Sequence, residues 1–132
     1  MSPQWVLVVE DDESIRRALI DYVGEHAHVQ VDGARDGVDA LHKVLTRRYD
    51  IVILDMMMPK MSGGDFLDSL KAMISDPSLN FQGDPPEIIV VTAAPPEDLP
   101  SATIEDRFPD LVRAVLRKPL DFELLMSALG RP

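Results

Sequence analysis

The chain has 132 residues, 45% of them hydrophobic, with 23 acidic and 13 basic side chains and a formal net charge of −10. That length suits one domain with one core, and the acidity disfavours broad contact with nucleic-acid phosphates or anionic lipid. There is no cysteine, which excludes disulfides and thiolate metal sites. No stretch is apolar enough to span a bilayer and no signal-peptide pattern is present, so a cytoplasmic location is expected.

Trp5-Val6-Leu7-Val8-Val9 reads as a first buried strand. Asp12 is placed to cap the helix that follows, in which Ile15, Ala18, Leu19, Tyr22 and Val23 recur at helical spacing. Val29-Gln30-Val31 is a short second strand, and Ala34 to Gly37 turns into a second helix with Val38, Leu41, Val44 and Leu45 expected on one face. Ile51-Val52-Ile53-Leu54 is short and wholly apolar, as in strands of parallel sheets covered on both faces. Ser62-Gly63-Gly64 opens a third helix carrying Phe66, Leu67, Leu70 and Met73 or Ile74. Ser75 to Pro86 holds Pro77, Gly83, Pro85 and Pro86 and reads as an extended loop. Ile88 to Val91 is a fourth strand ending at Thr92. Ala94 to Pro109 carries four prolines, so a helix there must be short or start well after Pro100. Ala114-Val115-Leu116 is a fifth strand ending near Lys118-Pro119, and Phe122, Leu125, Met126 and Leu129 mark a last helix.

Strands alternating with amphipathic helices imply βαβ units with right-handed crossovers, hence a parallel sheet with helices on both faces. Ligands of such sheets bind at the carboxyl ends of the strands. Glu10 and Asp11 end the first strand, Asp55 the third and Thr92 the fourth, and Lys118 follows the fifth, so all five side chains are expected along one edge. Clustered carboxylates are costly unless a cation neutralises them, and oxygen ligands suit a hard ion such as Mg²⁺, with Mn²⁺ as a substitute. Lys118 is a mobile point charge for an anion and Thr92 a hydroxyl donor. Acids, a divalent ion, an amine and a hydroxyl together make a site for a phosphoryl group, with one Asp as candidate nucleophile.

The segments Val8-Val9-Glu10-Asp11-Asp12, Ile53-Leu54-Asp55-Met56-Met57-Met58-Pro59, Val90-Val91-Thr92-Ala93 and Lys118-Pro119 resemble those of response-regulator receiver domains, in order and over nearly the whole chain. The resemblance implies an α/β fold, a three-layer, doubly wound, five-stranded parallel sheet of the flavodoxin-like type with strand order 2-1-3-4-5, spanning residues 1–132 as one domain. It implies that Asp55 accepts a phosphoryl group from a sensor histidine kinase or phosphotransfer protein. Glu10 and Asp11 would be the acid pair for Mg²⁺, Asp11 the direct ligand because it stands five residues before Arg16. The carbonyl of Met57 would be a further ligand, and Thr92 and Lys118 would contact the phosphoryl oxygens and drive the switch. A cis Lys118–Pro119 bond, kinase docking on the first helix through Arg16, Arg17 and Asp21, and phosphorylation-dependent homodimerisation belong to the same set. The chain departs from the family in longer spacings from Asp55 to Thr92 and from Thr92 to Lys118, and in Val115, where members commonly carry an aromatic side chain.

The expected role is therefore a signalling switch that assists its own phosphorylation rather than an enzyme. It acts on an unnamed output protein or domain, with no direct nucleic-acid or membrane contact. Ending at Pro132, the chain is expected to be a stand-alone regulator or a fragment of a longer one. A haloacid-dehalogenase-type phosphatase would need a second Asp where Met57 stands. A flavodoxin would need a Ser/Thr-rich loop after the first strand, and a non-phosphorylated pseudo-receiver would not need Glu10, Asp11, Asp55, Thr92 and Lys118 intact. The three methionines beside the strand read as pocket lining rather than as ligands for copper.

Overall fold

A computed structural model describes residues 5–58, 60–79 and 84–130; Pro59 and Gly83, both singled out in the sequence, lie outside that set. Five strands, β1 (Trp5–Val9), β2 (Gln30–Ala34), β3 (Ile51–Asp55), β4 (Glu87–Thr92) and β5 (Val112–Arg117), alternate with five helices, α1 (Glu13–Ala27), α2 (Gly37–Thr46), α3 (Gly63–Ser75), α4 (Ser101–Arg107) and α5 (Phe122–Leu129). All paired strands are parallel, in the order β2-β1-β3-β4-β5. This is the flavodoxin-like arrangement, and its reversal between β1 and β3 opens a crevice at the carboxyl ends of those strands.

Strand alternation divides the core in two. Leu7, Val9, Val52, Leu54, Ile88 and Val90 pack with α2, α3 and α4 through Ala40, Val44, Phe66, Leu67, Leu70 and Ile104. Val6, Val8, Ile51, Ile53, Ile89 and Val91 pack with α1 and α5 through Leu19, Val23, Leu125 and Leu129. β3 is buried along its whole length, as its unbroken apolar run requires. In β5 the register slips by one residue between the Ile88 and Ile89 pairings, skipping Arg113, whose guanidinium pairs with Glu87 at 3.2 Å.

Three readings of the sequence are corrected. The inward face of α2 is Gly37, Ala40 and Val44, while Val38 and Leu45 are 47% and 45% exposed. The helix is turned because Gly37 lies against Met61, where even a Cβ would come within 2.6 Å of the sulfur. Ile15 is 42% exposed and Ala18 also faces out, because they border an open cleft rather than the core. β2 runs three residues past Val31, to Ala34, since Gly33 and Ala34 pair with Val8 and Val9. The proline-rich segment does form a helix, α4, short and starting directly after Pro100.

Tyr49, which no pattern marked, is buried and donates its hydroxyl to Asp32 Oδ2 at 2.6 Å. Burial first, and the Asp32 carboxylate second, hold that phenol protonated well above its ordinary range. Asp12, Asp36, Ser62 and Asp121 cap α1, α2, α3 and α5 by accepting backbone N–H bonds.

The chain returns tightly from β3 into α3. Gly63 donates its N–H to the Met56 carbonyl at 3.2 Å, and a Cβ on it would lie 2.7 Å from Met56 Cα and 3.0 Å from the Asp55 carbonyl oxygen. Because those obstacles are backbone, Gly63→Ala is expected to lower stability by about 1–3 kcal/mol. In urea denaturation this would appear as a reduced midpoint with unchanged slope; a midpoint equal to wild type would show that the approach relaxes without cost.

Candidate functional site

Glu10 leaves β1 in ladder geometry, its N–H bonded to the Ala34 carbonyl at 3.0 Å. Being in step with Val6 and Val8, its side chain belongs to the α1–α5 side of the sheet; Asp55 follows Ile51 and Ile53 to the same side. Lys118, two residues past Leu116, arrives there from β5. The register that pairs Leu54 with Val9 and Asp55 with Val91 brings the three strand ends level.

The result is a compact charge cluster. Glu10 and Asp55 are only 2% and 4% exposed. The Lys118 ammonium lies 3.2 Å from Glu10 Oε1 and 3.4 Å from Asp55 Oδ2. The other oxygen of each acid is held by backbone: Glu10 Oε2 accepts the Asp12 N–H at 3.2 Å and Asp55 Oδ1 the Met57 N–H at 3.0 Å. Burial works against the Lys118 charge, but the Glu10 hydrogen bond and the Asp55 and Glu10 charges outweigh it and raise its pKa. Asp11 is exposed beside them, and one carboxylate oxygen each of Glu10, Asp11 and Asp55 lie within 4.8 Å of one another. The Asp11 pKa is raised, first by a hydrogen bond with Glu10, then by partial burial and the Glu10 charge. Three convergent carboxylates against one ammonium leave negative charge over, and an all-oxygen donor set fits a hard divalent cation.

Thr92 is fully buried, and its Oγ1 accepts the Ala94 N–H at 3.1 Å. In step with Val90, it belongs to the α4 side of the sheet, so it approaches the edge from the face opposite Glu10 and Asp55. Its carbonyl accepts the Lys118 N–H at 2.8 Å, and the Lys118–Pro119 bond is cis. Met57 stands two residues past Asp55 with a 62% exposed side chain. A cleft of about 420 Å³ between α1 and α5 opens on the cluster, walled by Ile15, Ala18, Leu120 and Phe122.

Five expected side chains thus meet at one edge, Thr92 from the far face. Arg16 differs from expectation: its Nη1 donates to the Glu10 carbonyl at 2.9 Å and its stem lies over Gly33, so of the three α1 residues only Arg17 and Asp21 are freely exposed. Arg117, which the sequence reading passed over, donates to the Ala94 carbonyl and to Ser101 Oγ, both at 3.0 Å. Its place directly after the apolar Ala114-Val115-Leu116 and before Lys118 was the available signal.

A family model described as the response regulator receiver domain matches residues 6–130. The chain is 40% identical over 72 residues to a protein-glutamate methylesterase/protein-glutamine glutaminase of Geobacillus kaustophilus, covering 54% of this chain and 20% of that one. It is 33% identical over 88 residues to the response regulator ArlR of Staphylococcus aureus, covering 67% and 35%. The chain thus spans only about a fifth to a third of these relatives' lengths. Among solved structures, the chemotaxis protein CheY4 of Vibrio cholerae superposes with a TM-score of 0.75 at 28% identity over 97% of both chains. A sensor protein of Polaromonas superposes with 0.77 at 26%, over 97% of this chain and 94% of that one. No helix among the described residues is long and apolar enough to cross a membrane.

The Asp11 shift carries a sign. A carboxyl whose pKa is higher folded than unfolded contributes stability below its ordinary value, near pH 3.9, and loses it as pH rises through the raised value. Ionised Asp11 therefore weighs on the fold at neutral pH. With a chelator present, Asp11→Asn is expected to be slightly more stable than wild type at pH 7, by up to about 0.5 kcal/mol given solvent screening, and to lose that advantage near pH 3. Denaturation curves at the two pH values check this; a less stable variant at pH 7 would refute it.

Proposed function

The chain belongs to the response regulator receiver domain family, and from that membership we propose that residues 1–132 act as one phosphorylatable receiver domain with Asp55 as phosphoacceptor. The observation that carries this reading is the Lys118 ammonium held within 3.4 Å of a buried Asp55 carboxylate, beside Glu10 and Asp11. Phosphoryl transfer needs little covalent chemistry from a protein and much positioning and charge stabilisation.

In the proposed reaction an Asp55 carboxylate oxygen attacks the phosphorus of a phosphohistidine in line. A phosphorus–oxygen bond forms, the phosphorus–nitrogen bond breaks, and the imidazole leaves on the donor. The Met57 N–H, bonded to Oδ1 at 3.0 Å, fixes the carboxylate's orientation, leaving Oδ2 on the Lys118 side as the attacking atom. Lys118 then exchanges a carboxylate contact for a phosphoryl oxygen, and Thr92 supplies a hydroxyl from the other face of the sheet. Glu10 and Asp11, with Asp55 and the Met57 carbonyl, would hold Mg²⁺ or Mn²⁺, which when bound offsets the charge of carboxylates and phosphoryl group together. Water hydrolyses the acyl phosphate, returning Asp55 and inorganic phosphate, so the signal decays.

The donor is a sensor histidine kinase or phosphotransfer protein. Its docking surface is α1 through Arg17 and Asp21 together with the apolar cleft beside the site; Arg16 supports that surface from within by holding the Glu10 carbonyl. The modified domain changes its contacts with an output protein or domain, or with a second copy of itself, by shifting a pre-existing equilibrium.

Incubated with acetyl phosphate and Mg²⁺, the wild type is expected to gain the mass of one phosphoryl group, and Asp55→Asn not to. Equal uptake by the variant rejects Asp55. Mg²⁺ at about a hundred times its dissociation constant should stabilise the unmodified wild type by about 2.7 kcal/mol. Asp11→Asn and Asp55→Asn should lose most of that gain, and thermal melts with Mg²⁺ against chelator measure it; stabilisation undiminished in both variants would place the ion elsewhere.

A further inference from the structure

From the hydrogen bonds around β5 we propose that Arg117 is a positioning residue that couples Thr92 to the start of α4, so that the state of Asp55 is read out through one guanidinium. The proposal rests on the phosphoacceptor reading above and adds the route by which it leaves the site.

Thr92 and Arg117 are register partners on adjacent strands. Both sit on the α4 side of the sheet, in step with Val90 and Val115. The Thr92 hydroxyl accepts the Ala94 N–H at 3.1 Å. The Ala94 carbonyl accepts Arg117 Nη1 at 3.0 Å, and Arg117 Nη2 donates to Ser101 Oγ at 3.0 Å. Three bonds in series therefore lead from a fully buried hydroxyl at the site to the first residue of α4. That end of α4 has no side-chain cap bond: its N-cap is Pro100. Val115, two residues earlier on the same face, packs on the core and has no polar atom with which to make such a link.

The geometry makes the series responsive. When the Thr92 hydroxyl turns to a phosphoryl oxygen on Asp55, its bond to the Ala94 N–H is lost and the Ala93–Ala94 peptide is free to reorient. Ala94 shifts with it, and the next peptide's carbonyl, on Ala94, moves relative to Arg117. The fork either follows, drawing Ser101 with it, or releases one partner; both change the first turn of α4. A guanidinium suits this position because its rigid planar fork holds two acceptors at once and stays charged at any working pH. Lys118 is its chain neighbour, so tightening of Lys118 on a phosphoryl group pulls the same strand end.

Hydrogen exchange at residues 101–104, with intact mass measured on the same samples, tests the coupling in wild type, Arg117→Met and Ser101→Ala. In the unmodified state Arg117→Met should exchange about tenfold faster there than wild type, the effect of losing a charged hydrogen bond. With Mg²⁺ and beryllofluoride as phosphoryl mimic, wild type should change its exchange at 101–104. Both variants should show less than half that change while still gaining the phosphoryl mass from acetyl phosphate. A wild-type-like response in Arg117→Met, or no response in wild type despite phosphoryl uptake, overturns the proposal. Absence of uptake in wild type would sink the phosphoacceptor reading instead, and the unmodified-state comparison would still decide whether Arg117 holds α4. Ser101→Ala removes a single half-buried hydroxyl and leaves Arg117 in place, so a folding defect in Arg117→Met cannot hide the answer.

Discussion

The Lys118 ammonium between two buried carboxylates is the contact around which this edge of the sheet is organised. Glu10 and Asp55 are almost entirely removed from water, a placement that costs several kcal/mol per ion unless opposite charge and hydrogen bonds compensate. Each acid receives one backbone N–H and shares one ammonium. Asp11 adds a third carboxylate beside them, and its pKa is raised first by the hydrogen bond with Glu10. Three carboxylates stand two beyond what a single lysine neutralises, and such an all-oxygen group is one that could hold a metal ion.

What the sequence makes legible is whatever follows from strand ends. Short apolar runs mark β1, β3, β4 and β5, and connectivity alone aligns their carboxyl ends, so Glu10, Asp11, Asp55, Thr92 and Lys118 could be placed together before any coordinates. Side-chain alternation would also have separated Thr92 from the acids, because the residue parity of each strand sets its face. The phase of α2 was less accessible. Val38, Leu41, Val44 and Leu45 form a plausible stripe, but the helix turns its small residues inward, since Gly37 must clear Met61. Close approach is a property of two elements at once, and hydrophobic periodicity reports on one. The same holds for Tyr49, whose burial depends on Asp32 of β2 standing within reach of its hydroxyl.

Long charged side chains were the other source of error, for a related reason. Arg16 and Arg117 each look like surface charges by composition, yet each lays its stem or fork along the protein and donates to a backbone carbonyl, Arg117 also to the Ser101 hydroxyl. A guanidinium has five donors and reaches far from its own Cα, so its partners are decided by loops that the sequence does not order. Arg16 braces the loop that presents Glu10 and Asp11; Arg117 braces the loop that follows Thr92. The two arginines thus bracket the acid cluster from opposite faces of the sheet.

That bracketing bears on how a change at Asp55 could be felt elsewhere. The acids and Lys118 share the α1–α5 side, where an apolar cleft leaves the cluster open to a partner. Thr92 and Arg117 share the α4 side, where hydrogen bonds through Ala94 and Ser101 lead to a helix of only seven residues. The sheet edge therefore separates the face that carries the acids and the cleft from the face that carries Thr92 and Arg117. α4 differs from α3 in how its start is held. It is short, carries no side-chain cap, and is tied at its start to Arg117 through Ser101. α3, by contrast, is fixed at its entry by Ser62 and by the tight Gly63 return. α4 buries one residue, Ile104, whereas α3 buries Gly63, Phe66, Leu67 and Leu70 along its length and cannot shift without disturbing the core.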